Sequence, residues 1–383
     1  MKICIVQSRA CFGGAEHVGV MLANTLAEKH EVWLVTNTHL DISYAVSNRV
    51  KLCNIFPNIP HGPKKWLSAI RNLRTLFKKV NPDVAIGILS TCSFICKVAG
   101  WGLGIPVIAT EHDAFERPEC APMSKGNTFS KFWLNKLFDV VTVLTEADRK
   151  VIGNRLHRVA VMPNPLSLTP LSISVGGSMT NDEGKPVYKR PFVLAAGRLD
   201  AWHYKGFDLL LKAWARVQTA CKEQMQREGW KLVIAGKDEA EGQRYLETLV
   251  HKYSLGDAVS FLGFRKDMVR LYQESSIFVL SSRYEGFGLV LIEAMSQGCA
   301  CVTTDYKGRQ MEILGSEDCG MVCQPEDVDA LAEALQRVMM DDELRQQLQR
   351  NAIARSRYFL PANIAKRWEQ LIAEVVARKQ DVR

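Results

Sequence analysis

No stretch of this 383-residue chain reaches the roughly 18 uninterrupted apolar residues that a membrane-spanning helix needs. The opening MKICIVQS also lacks the layout of a secretory signal peptide, because one lysine leads straight into a short strand-like run. A cytoplasmic protein is therefore expected. Among the eleven cysteines there is no CxxC pair, and CSFIC, CAC and CGMVC have the wrong spacing for a zinc knuckle. Reduced thiols are the expected state. Neither GxGxxG nor GxxxxGKS/T occurs, which tells against a nicotinamide dehydrogenase and a P-loop nucleotidase. No DxD motif with a plausible metal shell stands out, so no metal and no other cofactor is expected. Low-complexity tracts and solenoid periods are missing as well.

What remains is the composition of a globular protein, 47% hydrophobic and 23% charged. The length is too great for one ordinary core and suits two domains. The net charge of +8 raises the question of a polyanionic partner. Its densest source is HGPKKWLSAIRNLRTLFKKVNP, residues 61–82, which holds no acidic residue. At helical pitch Trp66, Ile70, Leu73, Phe77 and Val80 fall on one face, with Lys64, Arg71, Arg74 and Lys78 opposite. Such a helix can lie on an anionic membrane, or it can dock on a sheet with its basic face in water. The apolar face looks the same in both cases. Nucleic acid is not expected, because no aromatic-rich binding motif accompanies the charge.

Short β-branched runs alternate with helical periodicity, the pattern of parallel α/β units. The strand candidates KICIV, EVWLVT, VAIGIL, PVIAT and VVTVL fill the first half. Residues 166–190, rich in Ser, Thr, Gly and Pro, read as a linker or hairpin. The alternation then restarts with FVLAAG, KLVIAG, VSFLG and IFVLS. The expected fold is α/β, two Rossmann-like doubly wound domains over 1–165 and 191–358 that face each other across a cleft. A final helix over 359–383, with Ile364, Trp368, Ile372 and Val375 at helical spacing, is expected to pack back on the first domain. Ligands of such sheets sit beyond the carboxyl ends of the strands.

The loops at those ends carry the candidate chemistry. In SRACFGGAEH, Gly13 and Gly14 let a ligand approach the backbone at a helix start, although a Gly-Gly turn alone is more often a plain connection. In AAGRLDAWHYKGF, Arg198 stands just past a strand and Lys205 at a helix entrance. Together they can neutralise a diphosphate; either alone reads more simply as a solvated cation. RYEGFGLVLIEAMSQG poses the sharpest question. Glu293 adjoins the apolar run 289–292, and a carboxylate there is costly to bury unless something pairs with it. The turn EGFG aims backbone donors and a positive helix end at one point. A carboxylate can also accept two vicinal hydroxyls, as a ribose presents, whereas the plain alternative is a salt bridge or an exposed helix rung.

EGFGLVLIE resembles the E-x7-E motif of the retaining glycosyltransferases of family 4, which have the GT-B fold. The resemblance runs along nearly the whole chain through the GG loop, TEHD, VLTEADR, MPNP, GRLD…KG, FLGF and the motif itself, in the family's order. It implies that Arg198 and Lys205 clamp the donor diphosphate and that Glu293 binds the ribose hydroxyls. It implies that Glu285 contacts the transferred sugar, with the amides of Gly286, Phe287 and Gly288 nearby. Gly13 and Gly14 would face the reaction centre, and His112 of TEHD would lie near the transferred sugar. Without the resemblance His112 reads as a loop histidine with no particular role.

The implied activity is metal-independent transfer of a hexose or N-acetylhexosamine, with retention, to a glycan or lipid-linked acceptor of bacterial surface polysaccharide. A UDP-sugar is the expected donor, with a GDP-sugar in reserve. Contact with the inner face of the plasma membrane through 61–82 is left open. Two rivals stand beside this reading: a sugar-nucleotide epimerase of the same fold, and a non-catalytic binder of nucleotide sugars.

Overall fold

The computed structural model describes residues 1–381 except 12, 59–61, 120, 121 and 175. Phe12 of the glycine loop, His61 at the head of the basic stretch and the last two residues of the tail lie outside the described residues. The chain divides into two compact units, one of Met1–Pro165 with Phe359–Arg383 and one of Leu166–Tyr358.

In the first unit seven strands form one parallel sheet: β1 (Lys2–Val6), β2 (Glu31–Val35), β3 (Lys51–Cys53), β4 (Val84–Ile88), β5 (Val107–Thr110), β6 (Val140–Val143) and β7 (Val159–Val161). Their spatial order is 3-2-1-4-5-6-7. Central strands read as unbroken aliphatic runs because helices cover both faces of such a sheet; every residue of β4 is buried. The helices used below are α1 (Gly14–Leu26), α2 (Pro63–Val80), α3 (Leu89–Ala99) and α4 (Lys125–Phe132).

The basic stretch forms α2, with Pro63 in its first turn and Asn81 closing it in the left-handed region at φ 49°. Ala69, Leu73, Phe77 and Val80 are buried against the sheet and α3. Of the two options open in the sequence, docking on the sheet is the one its apolar face takes. One of the four cations opposite is engaged as well: Arg74 Nη1 donates to Ala99 O at 2.9 Å and Trp101 O at 2.7 Å, satisfying carbonyls at the end of α3.

The last helix, Pro361–Asp381, belongs to the first unit. Ile364, Trp368, Ile372 and Val375 are buried in one cluster with Ile3, Ile5, Val84 and Ile86. Arg367 Nη2 donates to Val161 O at 2.8 Å, and Lys29 pairs with Glu369 at 3.1 Å.

The second unit begins with a small antiparallel hairpin, β8 (Ser172–Ile173) and β9 (Met179–Thr180). Six parallel strands follow: β10 (Arg190–Ala196), β11 (Lys231–Ala235), β12 (Val259–Phe261), β13 (Ser275–Leu280), β14 (Ala300–Thr304) and β15 (Met321–Cys323), in the order 12-11-10-13-14-15. The winding of each sheet reverses at one place, between β1 and β4 in the first and between β10 and β13 in the second. A reversal leaves a crevice at the carboxyl ends of the two strands. The loops after β1, β4, β10 and β13 are thereby marked.

Trp368 ties the far end of the chain to β1 and β4 by burial alone. Trp368→Ala should cost about 3–5 kcal/mol of unfolding free energy, read as a fall in the urea midpoint with little change in slope.

Candidate active site

In the second unit the chain leaves β10 through Gly197 and Arg198. A Cβ on Gly236 would fall 1.7 Å from Gly197 O, so only glycine lets the two loops approach this closely. Arg198 extends outward, 64% exposed, with Nε donating to Asp200 Oδ1 at 3.2 Å.

Lys205 is placed by a tighter device. Gly206, at φ 62°, caps the helix Phe207–Ala220, and a Cβ there would meet Ser281 O at 1.9 Å. Ser281 Oγ donates to Lys205 O at 2.8 Å, and Arg283 N–H donates to Tyr204 O at 2.9 Å. The Arg283 guanidinium, 6% exposed, binds the same turn. It donates to His203 O at 2.6 Å and to both oxygens of Asp208 at 2.7 and 3.0 Å, and it also pairs with Glu326. The turn after β10 is thus stapled to the end of β13.

The staple brings Lys205 Nζ to 2.7 Å from Glu285 Oε1, an oxygen that also accepts from Ser282 Oγ at 2.7 Å. The two cations expected to act as a pair each hold a carboxylate instead, Arg198 that of Asp200 and Lys205 that of Glu285. Gly286 and Phe287 lead to Gly288, which starts the helix Leu289–Ser296 at φ 99°. A Cβ on Gly288 would lie 2.9 Å from Tyr306 Oη, which donates to Phe287 O at 3.2 Å. The first amides of a helix lack the intrahelical partner that later ones have; here Leu291 N–H turns back to Gly288 O at 2.9 Å.

Glu293, on that helix, has no cation within salt-bridge distance among the described residues. Its partners are two hydroxyls. Ser167 Oγ donates to Oε1 at 2.9 Å and Tyr272 Oη to Oε2 at 3.2 Å. Burial raises the carboxyl above its ordinary range, and the two hydrogen bonds pull it back. Ser167 belongs to a segment laced along the same helix, with Gln297 Nε2 donating to Thr169 O at 2.8 Å and Leu171 N–H to Ser296 O at 2.9 Å.

In the first unit the glycine loop is less open than its sequence suggests. Gly13 N–H donates to Tyr44 Oη at 3.0 Å, and a Cβ there would meet Glu16 Oε2 at 2.3 Å. Gly14 is the first residue of α1. The buried Glu16 accepts from Arg9 Nε at 2.8 Å.

His112 follows β5. Its Nε2 lies 3.1 Å from Thr110 Oγ1, whose single proton goes to Gly87 O at 3.0 Å and which accepts Leu89 N–H at 3.3 Å. Thr110 can only accept from the ring, so Nε2 carries the proton and Nδ1 keeps its lone pair. Nδ1 is shielded and makes no hydrogen bond of good geometry among the described residues, although Asn164 lies close enough to act on the ring. Burial pushes the ring down to about 4, with Asn164 of the MPNP stretch acting the other way, so the imidazole is neutral at pH 7. The loop is anchored by the buried Lys131, which donates to Asp113 O at 2.6 Å and Ala114 O at 3.1 Å and lies 3.6 Å from Glu111. Leu89, at φ 67°, holds the left-handed backbone that turns its N–H onto Thr110.

Ser167, Asp208, Tyr272, Arg283 and Tyr306 were not marked by the sequence reading. Each acts through a partner distant in the chain, and the one local signal was an arginine three residues past a strand and two before the EGFG turn.

The two units match two family models side by side. Residues 12–169 match the model described as Glycosyltransferase Family 4, and residues 180–355 the one described as Glycosyl transferases group 1. A Campylobacter jejuni protein, "GalNAc-alpha-(1->4)-GalNAc-alpha-(1->3)-diNAcBac-PP-undecaprenol alpha-1,4-N-acetyl-D-galactosaminyltransferase", is 29% identical over 98% of this chain and 99% of its own. Among solved structures, sucrose-phosphate synthase from Thermosynechococcus elongatus superposes with a TM-score of 0.78 at 20% identity, covering 98% of this chain and 99% of that one. Anabaena HepE, solved in complex with UDP and glucose, gives 0.75 at 20% identity over 98% and 100%. At these identities the structures speak for the fold alone, and the two family models supply the rest: the chain belongs to the glycosyltransferases of GT-B fold.

Proposed function

We propose that this glycosyltransferase moves a hexose or N-acetylhexosamine, with retention, from a UDP-sugar to a glycan or lipid-linked acceptor of bacterial surface polysaccharide. The observation that carries the reading is Glu293, a half-buried carboxylate met, among the described residues, by hydroxyls and no cation. An ionised carboxylate offers about four lone-pair positions; Ser167 and Tyr272 occupy two, which leaves two for the vicinal hydroxyls of a ribose. The names of the relatives support the rest. The Campylobacter protein is named for transfer of N-acetylgalactosamine to a polyprenol-linked glycan, and HepE was solved with UDP.

On this reading Lys205 and Arg198 stabilise charge growing on the leaving diphosphate, together with the helix start after Gly288, and no metal is called on. As Lys205 turns to the diphosphate, Glu285 is released to accept from the transferred sugar while Ser282 keeps its grip. Gly13, Gly14 and the neutral His112 are the first unit's candidates for contact with that sugar. The protein's task is positioning and charge stabilisation rather than nucleophilic attack.

A thermal-shift panel of UDP-, GDP- and ADP-sugars identifies the donor, since a ligand of the folded state raises apparent stability by mass action. Release of UDP only when a glycan or lipid-linked acceptor is added separates transfer from epimerisation. Lys205→Ala should lower kcat about 100- to 1,000-fold, by analogy with loss of one oxyanion donor, and Arg198→Ala and Glu285→Ala should abolish transfer without unfolding. Glu293→Gln should weaken UDP binding about 10- to 100-fold, the size of one or two hydrogen bonds to a charged group. Wild-type turnover in these variants would remove the assignment.

His112 also makes stability depend on pH. The unfolded ring takes a proton below about pH 6.5, the folded one only near 4. Between the two the unfolded chain binds more protons, so stability is full above the upper value and is lost as the pH falls toward the lower. His112→Gln should flatten that part of the curve, measured by denaturant unfolding across the range.

A further inference from the structure

Four acids are buried among the described residues: Glu16, Glu111, Asp148 and Asp208. Three of them have both oxygens engaged. Asp208 takes the two prongs of Arg283 at 2.7 and 3.0 Å. Asp148 accepts from Phe115 N–H at 2.8 Å on one oxygen and from Thr145 Oγ1 at 2.6 Å on the other. Glu111 accepts from Ser90 Oγ at 2.8 Å and Asn135 Nδ2 at 3.0 Å on Oε1, and Lys131 Nζ of α4 lies 3.6 Å from Oε2. Glu16 is the exception. Arg9 Nε donates to its Oε1 at 2.8 Å, and its Oε2 has no hydrogen-bond partner among the described residues. A carboxylate taken out of water is costly unless its lone pairs are filled, so the oxygen left over points to a partner from outside the chain.

The place of that oxygen is built. Gly13 has φ 170°, extended backbone open to any residue, so what glycine supplies here is space. Glu16 takes it: a Cβ on Gly13 would lie 2.3 Å from Oε2. Gly13 is itself held by Tyr44, from the loop between β2 and β3, whose Oη accepts Gly13 N–H at 3.0 Å and donates to Gly13 O at 3.2 Å. The Tyr44 ring stacks on His17 of α1, with centroids 4.2 Å apart and planes 6° from parallel. Ser43 N–H donates to Ala10 O at 3.0 Å and pins the Tyr44 loop to the glycine loop. Burial, and after it the charge of Glu16, push the Cys92 thiol of α3 up to about 12, so the carboxylate stands near the helix that follows β4. That is the crevice of the first sheet, where its winding reverses.

An acid in the first turn favours a helix even when exposed, so the stability of α1 does not call for this burial. Charge narrows what Oε2 can hold. A diphosphate is repelled by a carboxylate, whereas a neutral polyhydroxyl brings donors to its free lone pairs and adds no charge. We infer that Glu16 is an acceptor-binding residue: its Oε2 accepts a hydrogen bond from a hydroxyl of the glycan that receives the sugar. Arg9, Gly13 and Tyr44 are the positioning residues that aim it. No covalent bond forms or breaks at Glu16, and it takes no proton from the acceptor. This role rests on the transferase reading but not on the identity of the donor.

The test takes the full chain and the nucleotide sugar that gives the largest thermal shift. The acceptor probes are benzyl glycosides of N-acetylglucosamine and N-acetylgalactosamine disaccharides, each also made with single hydroxyls replaced by hydrogen. Glu16→Gln should raise the acceptor KM about 10- to 100-fold, the size of one hydrogen bond to a charged group. The melting temperature and the donor thermal shift should stay as in the wild type. One deoxy glycoside should carry a penalty in the wild type that disappears in Glu16→Gln, because the lost hydroxyl and the lost charge belong to one contact. Tyr44→Phe, which keeps the ring on His17, should raise the same KM about 2- to 10-fold, and it decides the matter if Glu16→Gln does not fold. An unchanged acceptor KM in a folded Glu16→Gln, or deoxy penalties equal in the two proteins, overturns the inference. So does an intact donor shift with no transfer to any of the glycosides. A wild type that shifts with no nucleotide sugar fails earlier, before any acceptor is added, and there the donor reading falls and takes this role with it.

Discussion

A guanidinium taken out of water is tolerated only when its donors are filled, and Arg283 meets that condition at the place where it matters most. Its partners are His203 O, Asp208 and Glu326, drawn from the turn after β10 and from the loop beyond β15. The demand for full pairing leaves that turn one position relative to β13. Lys205 then has to stand beside Glu285, and the EGFG turn has to follow within reach. Backbone packing works the same way: Gly206 presses against Ser281 O, so the contact admits no side chain. The candidate chemistry of the second unit is thus carried on a rigid frame, as precise placement of charge requires.

The first unit uses the same physics with different residues. Lys131 is buried with Glu111 and two backbone carbonyls, and this fixes the loop that carries His112. Thr110 then decides which ring nitrogen holds the proton, through a chain of hydrogen bonds that ends on Gly87 O. In both units a buried cation satisfied by carbonyls and acids fixes the turn that carries a candidate site group, Lys205 in the second and His112 in the first. The Nδ1 atom of His112, shielded and without a hydrogen bond of good geometry among the described residues, is a local cost in stability. Such costs collect where a ligand completes the hydrogen bonding.

The sheet centres were legible because burial on both faces demands unbroken aliphatic runs, which mark β1, β4, β5, β10 and β13 directly. Of the four three-residue edge strands only β12 was legible, in VSFLG; β3, β7 and β15 were not, since so short a strand with a partner on one side need not carry an aliphatic run. β14, ACVTT, was also missed: all five residues are buried, but small side chains do the packing and blur the pattern. Glu293 was visible because an acid next to an apolar run is conspicuous in any sequence, and Glu285 through the resemblance of EGFGLVLIE to the E-x7-E motif. Their supports were not. Ser167 lies 126 residues from Glu293 and Asp208 75 from Arg283, and no local pattern announces contacts of that range. The basic helix left two options open in the sequence, and the buried Ala69, Leu73, Phe77 and Val80 show that its apolar face answers to the core of its own unit.

Alternation of apolar runs with helical periodicity, and the order of short motifs along the chain, sufficed to determine two parallel α/β units and a glycosyltransferase architecture, because both depend on neighbours in sequence. Which donors meet Glu293, which carboxylate holds Lys205, which nitrogen of His112 is protonated and which apolar side chains are left in solvent were decided only by the tertiary structure. Each of those depends on where distant segments come to rest when the sheets close, and that is settled by packing rather than by any stretch of residues alone.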